Sequence, residues 1–209
     1  MPRKHKEDAR PPVNLRRLYV DCRYGQLHLR SAFPSTGGFD ELTPLVCLDS
    51  GPATSRLFTG LLGRMGHDRS VYAPDLPGFG ESDPPPAGSS VADLPAAIGD
   101  FIDHMRFRRV DLLGYEGGAS IAVALGAARP DKIRRIVLIA PPAHDVLGDA
   151  PVLLQPVLVL RPSDAAWEVA ARAKQNLADA KFIELPERAA GLIDLTPEIV
   201  ARHARAFLD

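Results

Sequence analysis

Residues 112–130, LLGYEGGASIAVALGAARP, decide the fold. The stretch opens as the end of a short apolar run, RVDLLGY at 109–115, turns on Gly114, Gly117 and Gly118, and continues as small and apolar residues until Pro130. A run of that length suits a strand and the segment after it a helix, so the passage reads as strand, tight turn, helix. The same alternation extends in both directions. Upstream, TPLVCLD (43–49) is a continuous apolar run suited to a strand buried on both faces. TSRLFTGLLGRM (54–65) follows, with Thr54 or Ser55 as cap and Leu57, Phe58, Leu61, Leu62 and Met65 at helical spacing. Next come strand SVYAPD (70–75), a Gly/Pro-rich loop, and helix VADLPAAIGDFIDHMRF (91–107), whose Pro95 is early enough for a first turn.

Downstream stand strands KIRRIVLIA (132–140) and PVLVL (156–160), helix DAAWEVAARAKQNLA (164–178), strand AKFIELP (180–186) and a last helix TPEIVARHARAFL (196–208). Ahead of everything, RRLYVDCRYGQLHLRSAF (16–33) holds two β-rich runs around Tyr24, Gly25 and Gln26, a hairpin of edge strands. The expected class is α/β: a mostly parallel central sheet with an N-terminal antiparallel hairpin and helices on both faces. In such sheets ligands gather at the carboxyl ends of the strands.

The 209 residues suit one domain, with no internal repeat, low-complexity tract or shift of composition inside it. Residues 1–12, MPRKHKEDARPP, read as a flexible tail, and 13–209 as a single domain. Apolar residues make up 45% and charged residues 24%, with 25 basic against 26 acidic side chains, so disordered and fibrous classes are excluded. A net charge of -1 provides no basic field for nucleic acid or anionic membrane. No apolar run approaches the 18 or so residues of a membrane span, and the charged start is not followed by an apolar segment, so a cytoplasmic location is expected. Cys22 and Cys47 lack metal-ligand spacing and read as buried thiols outside any disulfide framework.

Two passages carry a resemblance. DLPGFGESD (75–83) resembles the D-x-P-G-x-G-x-S loop after the fourth strand of the α/β-hydrolase superfamily. Gly114-Tyr115-Glu116-Gly117-Gly118 resembles its nucleophile elbow, G-x-Nuc-x-G. The spacing from the elbow to Pro130 and the strand after it is similar as well. The resemblance implies an α/β-hydrolase fold over nearly the whole chain after the tail, and it locates the expected chemistry residue by residue.

At the nucleophile position stands Glu116, where the superfamily has serine, or aspartate in its epoxide-hydrolase and dehalogenase branches. A shifted register would offer Ser120, but it would put the turn inside the helix, so Ser120 reads as a small residue for close helix-to-sheet packing. The acid position falls on Asp164. The histidine position after the eighth strand holds Arg188 or Ala190, and none of the six histidines (His5, His28, His67, His104, His144, His203) occupies it. Without an imidazole between nucleophile and acid, the triad logic fails. Of the oxyanion donors, the Gly117 N–H is retained, whereas after Asp49-Ser50-Gly51 the second position falls on Pro52, which has no N–H to give, or by a one-residue shift on Ala53. Tyr115 and Gly51 are expected to line the pocket.

Glu116 at a helix start is a favourable place for an anion, and a carboxylate there can attack an epoxide or alkyl halide to form an ester. His144 with Asp145 is the one imidazole placed to rescue a general base, and a Glu116–Asp164 pair sharing a proton is the other route. Glu81, Ser82 and Asp83 read as turn and cap residues, and Phe79 and Trp167 as packing groups near the rim. Only PPAHDVLGDAPVLLQ separates IVLIA from PVLVL, so no cap domain is expected. Val146, Leu147, Val152, Leu153 and Leu154 are then left to fold over the lidless face or to form a homodimer there.

The expected function is a degenerate-triad, small-molecule-binding or non-classical member. The alternatives are a hydrolase acting on an ester, epoxide or related substrate with Glu116 as nucleophile or base, and a structural or regulatory subunit. No cofactor and no metal site are implied.

Overall fold

The computed structural model describes residues 13–35, 41–52, 54–90, 93–142, 152–165 and 179–209. Along the chain run β1 (Asn14–Cys22), β2 (Gly25–Phe33), β3 (Leu42–Leu48), a 3-10 turn (Ser55–Phe58), α1 (Thr59–Met65), β4 (Arg69–Pro74), α2 (Leu94–His104), β5 (Val110–Tyr115), α3 (Gly118–Ala128), β6 (Ile133–Ile139), β7 (Val157–Arg161), β8 (Ala180–Glu184) and α4 (Pro197–Leu208). The strands form one eight-stranded sheet in the order β1-β2-β4-β3-β5-β6-β7-β8. From β4 to β8 every neighbouring pair is parallel. The expected tail at 1–12 and most of the helix expected at 164–178 lie outside the described residues.

One expectation needs correcting. The hairpin pairs in full register from Asn14↔Phe33 to Cys22↔Gly25, but β2 also pairs antiparallel with β4, so of these two strands β1 alone lies at a sheet edge. The physical reason is in the burial: Leu27 and Leu29 on β2 are fully enclosed, while β1 keeps Leu15 and Tyr19 half exposed.

Burial explains why the inner strands read as continuous apolar runs. Every residue of β4, β5 and β7 is buried, because helices cover both faces. On one face α2 and α3 supply Ile98, Phe101, Ile102, Ile121 and Leu125 against Val46, Leu48, Leu112 and Leu138. On the other, α1 and α4 supply Leu61, Leu62, Met65, Val200 and Ala204 against Leu45, Cys47, Leu113 and Val137. Each such Val, Leu, Ile, Phe or Met side chain contributes roughly 1.5–3 kcal/mol relative to exposure.

The passage 112–130 folds as read because its glycines permit close approach. A Cβ on Gly118 would lie 2.1 Å from the Leu48 carbonyl oxygen, and one on Gly114 would lie 2.5 Å from the Gly118 oxygen. The start of α3 therefore sits directly on the ends of β3 and β5, placing the turn where the parallel strands finish.

Candidate functional site

Glu116 follows the last residue of β5 with φ +47, a left-handed conformation that costs an L-residue about 1–2 kcal/mol. Its surroundings hold it there: its N–H donates to the Ile139 carbonyl on β6 at 2.9 Å, and its own carbonyl accepts from Ala119 N–H at 2.9 Å. The outcome is an exposed carboxylate at the carboxyl end of the sheet with Gly117 and Gly118 behind it. Ser120 lies inside α3, its N–H bonded to the Gly117 carbonyl at 3.1 Å and its hydroxyl without a partner among the described residues. The serine is thus not at the turn.

Tyr115 is buried and its hydroxyl donates to the Ala189 carbonyl at 2.9 Å. Burial, followed by the Glu116 carboxylate, holds the phenol proton well above its ordinary range. Ala189 also donates its N–H to Asp164 Oδ1 at 2.9 Å, and Arg188 Nε donates to Asp164 Oδ2 at 3.2 Å. These contacts, led by the Ala189 N–H, pull the Asp164 carboxyl below the usual range. The elbow and the acid loop are therefore joined through the backbone of Ala189, and the acid has a guanidinium where a triad would give it an imidazole. Of the described histidines, His28 is bonded to Asp75, His104 ends α2, His67 lies between α1 and β4, and His203 lies on α4. His144 lies outside the described residues, as do Asp145, Ala53 and Trp167.

The loop after β3 brings a group that the sequence reading used only for its backbone. Asp49 is half-buried beside the elbow; burial raises its carboxyl, the Glu116 charge raises it further, and the Ser50 and Gly51 N–H groups oppose them. The carboxylate neighbour of Glu116 is thus Asp49, whereas Arg188 is the charge that acts on Asp164. Because β3 and β5 are parallel neighbours, Leu48 pairing with Gly114, their ends were bound to meet. That rule of adjacent strand ends was the signal available for Asp49. Ser50 packs on Gly117 so closely that a Cβ there would meet its hydroxyl at 2.5 Å. Gly51 takes φ +67 beneath the Phe79 ring, which would meet a Cβ at 2.7 Å.

The loop that starts at Asp75 is a brace. The Asp75 carboxylate accepts from Ser55 N–H at 2.6 Å, Glu81 N–H at 3.0 Å and His28 Nδ1 at 2.8 Å. The Ser82 hydroxyl donates to the Asp75 carbonyl at 2.7 Å and accepts from His28 N–H at 2.9 Å. Asp83 accepts from Gln26 N–H at 2.8 Å. Together they tie the β4 loop to β2 and to the segment after β3, which fixes Phe79 over Gly51.

A nucleophile-type turn after β5, a braced loop after β4 and an acid after β7 are the framework of one fold family, and the family described as alpha/beta hydrolase fold matches residues 43–183. The chain belongs to the alpha/beta hydrolase fold family. Among curated relatives of this alpha/beta hydrolase, haloalkane dehalogenase 2 of Mycobacterium tuberculosis is 29% identical over 96 residues, 46% of this chain and 34% of the relative. The 2-hydroxymuconate semialdehyde hydrolase of Pseudomonas putida is 37% identical over 92 residues, 43% of this chain and 32% of that one. The matched stretch thus spans about a third of those proteins' length. Among solved structures, naproxen esterase from Bacillus subtilis superposes with TM-score 0.77 at 15% identity, covering 95% of this chain and 93% of its own. The enol-lactonase from Burkholderia xenovorans gives TM-score 0.77 at 16% identity, covering 91% and 99%. At these identities the solved structures establish the fold of the alpha/beta hydrolase chain alone.

Among the described residues no three His, Cys, Asp or Glu side chains are grouped to hold a metal, and no helix is long and apolar enough to cross a membrane.

Proposed function

We propose that this alpha/beta hydrolase has a degenerate triad and binds a small organic molecule at the strand ends around Glu116, with Tyr115, Gly51 and Gly117 lining the site. One observation carries the reading: the acid Asp164 is satisfied by Arg188 and the Ala189 N–H, so among the described residues no imidazole couples it to Glu116. The arrangement can hold a ligand's cationic or hydroxyl group on Glu116 and Asp49, but among the described residues it lacks the proton shuttle of a serine hydrolase. Intact-mass and product measurements on a panel of esters, epoxides and haloalkanes test it. Binding that Glu116→Gln abolishes, without turnover, is the expected result, and multiple turnovers on any member of the panel overturn it.

The raised Asp49 carboxyl beside Glu116 favours a second reading as a hydrolase. There Glu116 attacks a haloalkane carbon and expels halide, or an epoxide carbon and opens its C–O bond to an alkoxide that solvent protonates, and an ester forms. Asp49 then takes the proton of a water whose oxygen attacks the ester carbonyl, and it returns that proton to the departing alcohol oxygen, which restores the Glu116 carboxylate. The relatives named haloalkane dehalogenase 2 and soluble epoxide hydrolase support that substrate class. Asp49→Asn would then trap the ester on Glu116 as a stable mass adduct.

The proposal also reads the short connection 140–156 as the absence of a cap. Val152 and Leu154, both largely exposed, are then part of a homodimer surface on the uncovered face. A monodisperse monomer by sedimentation at high concentration would remove the dimer. Cys47 is buried as expected, whereas Cys22, at the end of edge strand β1, is only partly covered; both are free thiols, which accords with a cytoplasmic location.

A further inference from the structure

On the β1–β2 hairpin, away from the strand-end site, Arg17 and Arg30 are cross-strand partners. Partners in an antiparallel pair project to the same face, and the alternation along β2 puts Arg30 on the face of Ala32, which packs with Leu62 of α1. Two like charges directly opposite each other in a sheet repel. A fold ordinarily relieves such a pair with a carboxylate, yet neither these two arginines nor the adjacent Arg16 has an ion-pair partner among the described residues. The Nε of Arg30 is buried and makes no hydrogen bond, which leaves a strong donor unmade. Beside it lies a cavity of about 120 Å³ lined by Leu15, Leu62, Thr59, Ser31 and the three arginines, with no acidic side chain among the described residues that line it.

We propose that this cleft between the first hairpin and α1 is a phosphate-binding site, taking inorganic phosphate or the head group of a small phosphate ester. The repelling pair, the unmade buried donor and the empty volume between them are all satisfied by one anion. A tetrahedral phosphate offers up to two negative charges and oxygens in several directions to two guanidinium forks, whereas acetate brings one charge and two oxygens in a single plane. The site stands on strands that contribute no side chain around Glu116, so it does not depend on the reading of the strand-end pocket.

The test is titration of the full chain with inorganic phosphate at constant ionic strength, following the arginine Nε–Hε resonances by NMR, with glycerol phosphate and acetate in parallel. Saturable movement of the Arg30 resonance is expected with phosphate and not with acetate. Tighter binding of glycerol phosphate assigns an organic phosphate, and equal binding assigns the free ion. Arg30→Gln and Arg17→Gln should each weaken binding at least tenfold. Arg17 is exposed, so Arg17→Gln should keep the fold, with an apo thermal midpoint equal to or above that of the unsubstituted chain and no rise on adding phosphate. Non-saturating shifts, acetate binding as well as phosphate, or unchanged affinity in Arg17→Gln overturns the proposal.

Discussion

Gly118→Ala tests whether the elbow is held by backbone contact. The added Cβ would lie 2.1 Å from the Leu48 oxygen, 2.4 Å from the Leu48 carbonyl carbon and 2.7 Å from the Asp49 Cα. All three are backbone atoms in or next to β3, so no side-chain rotation relieves the overlap. Ordinary contact would need more than an ångström of separation between α3 and the sheet. Overpacking of this kind costs typically 1–3 kcal/mol, and rigid backbone on both sides puts this case at the top, about 3 kcal/mol. Alanine's helix propensity gives back at most about 1 kcal/mol, so a net loss of about 2 kcal/mol remains. For a chain of this size that lowers the melting midpoint by roughly 4–8 °C. The internal control is Gly63→Ala in α1, where nothing lies within 4 Å of the new Cβ. That change should stabilise by about 0.5–1 kcal/mol. Urea unfolding of both variants is the assay. If Gly118→Ala costs less than 1 kcal/mol, or if the two variants shift in the same direction, close backbone approach is not what shapes the turn.

Two further outcomes follow from buried charge. Burial pushes the Asp75 carboxyl up, but the Ser55 and Glu81 N–H groups and His28 outweigh it and leave the group below its usual range. Its stabilising contribution is therefore present above the unfolded carboxylate range near pH 4 and is lost as pH falls through the folded value. Asp75→Asn should cost about 2–3 kcal/mol at pH 7, and its deficit should narrow in urea titrations below about pH 4; a deficit constant with pH refutes the assignment. Asp111 is fully buried and is held by Arg134 through Nε at 2.9 Å and Nη2 at 2.6 Å. Arg134→Met leaves that carboxyl unpaired and should cost about 3–5 kcal/mol in chemical denaturation, with an unchanged midpoint as the contrary result.

The strand-turn-helix passage was legible because glycine spacing and apolar runs are local properties, and the observed β5 and α3 fall within a residue or two of the expected bounds. Glu116 at the turn was legible for the same reason. The partners of Asp164 were not: Arg188 and Ala189 come from a loop 24 and 25 residues away, and only the β7–β8 pairing decides which of its groups faces the acid. Asp49 escaped because its altered carboxyl depends on burial and on Glu116, 67 residues along the chain. The edge status of β2 was misread because alternation within a hairpin does not reveal a third strand alongside it.

Composition, the alternation of apolar runs and two glycine-bearing turns therefore determined the fold class and put a glutamate, where a serine is usual, at the strand ends. Which charges meet there was decided by the sheet. Parallel pairing of β3 with β5 puts Asp49 beside Glu116, and pairing of β7 with β8 puts Arg188 on Asp164. The physical reason is range: backbone conformation and burial period are set by neighbours within a few residues. Electrostatic and hydrogen-bond partners are instead set by distance in space, which exists only once the strands have been ordered.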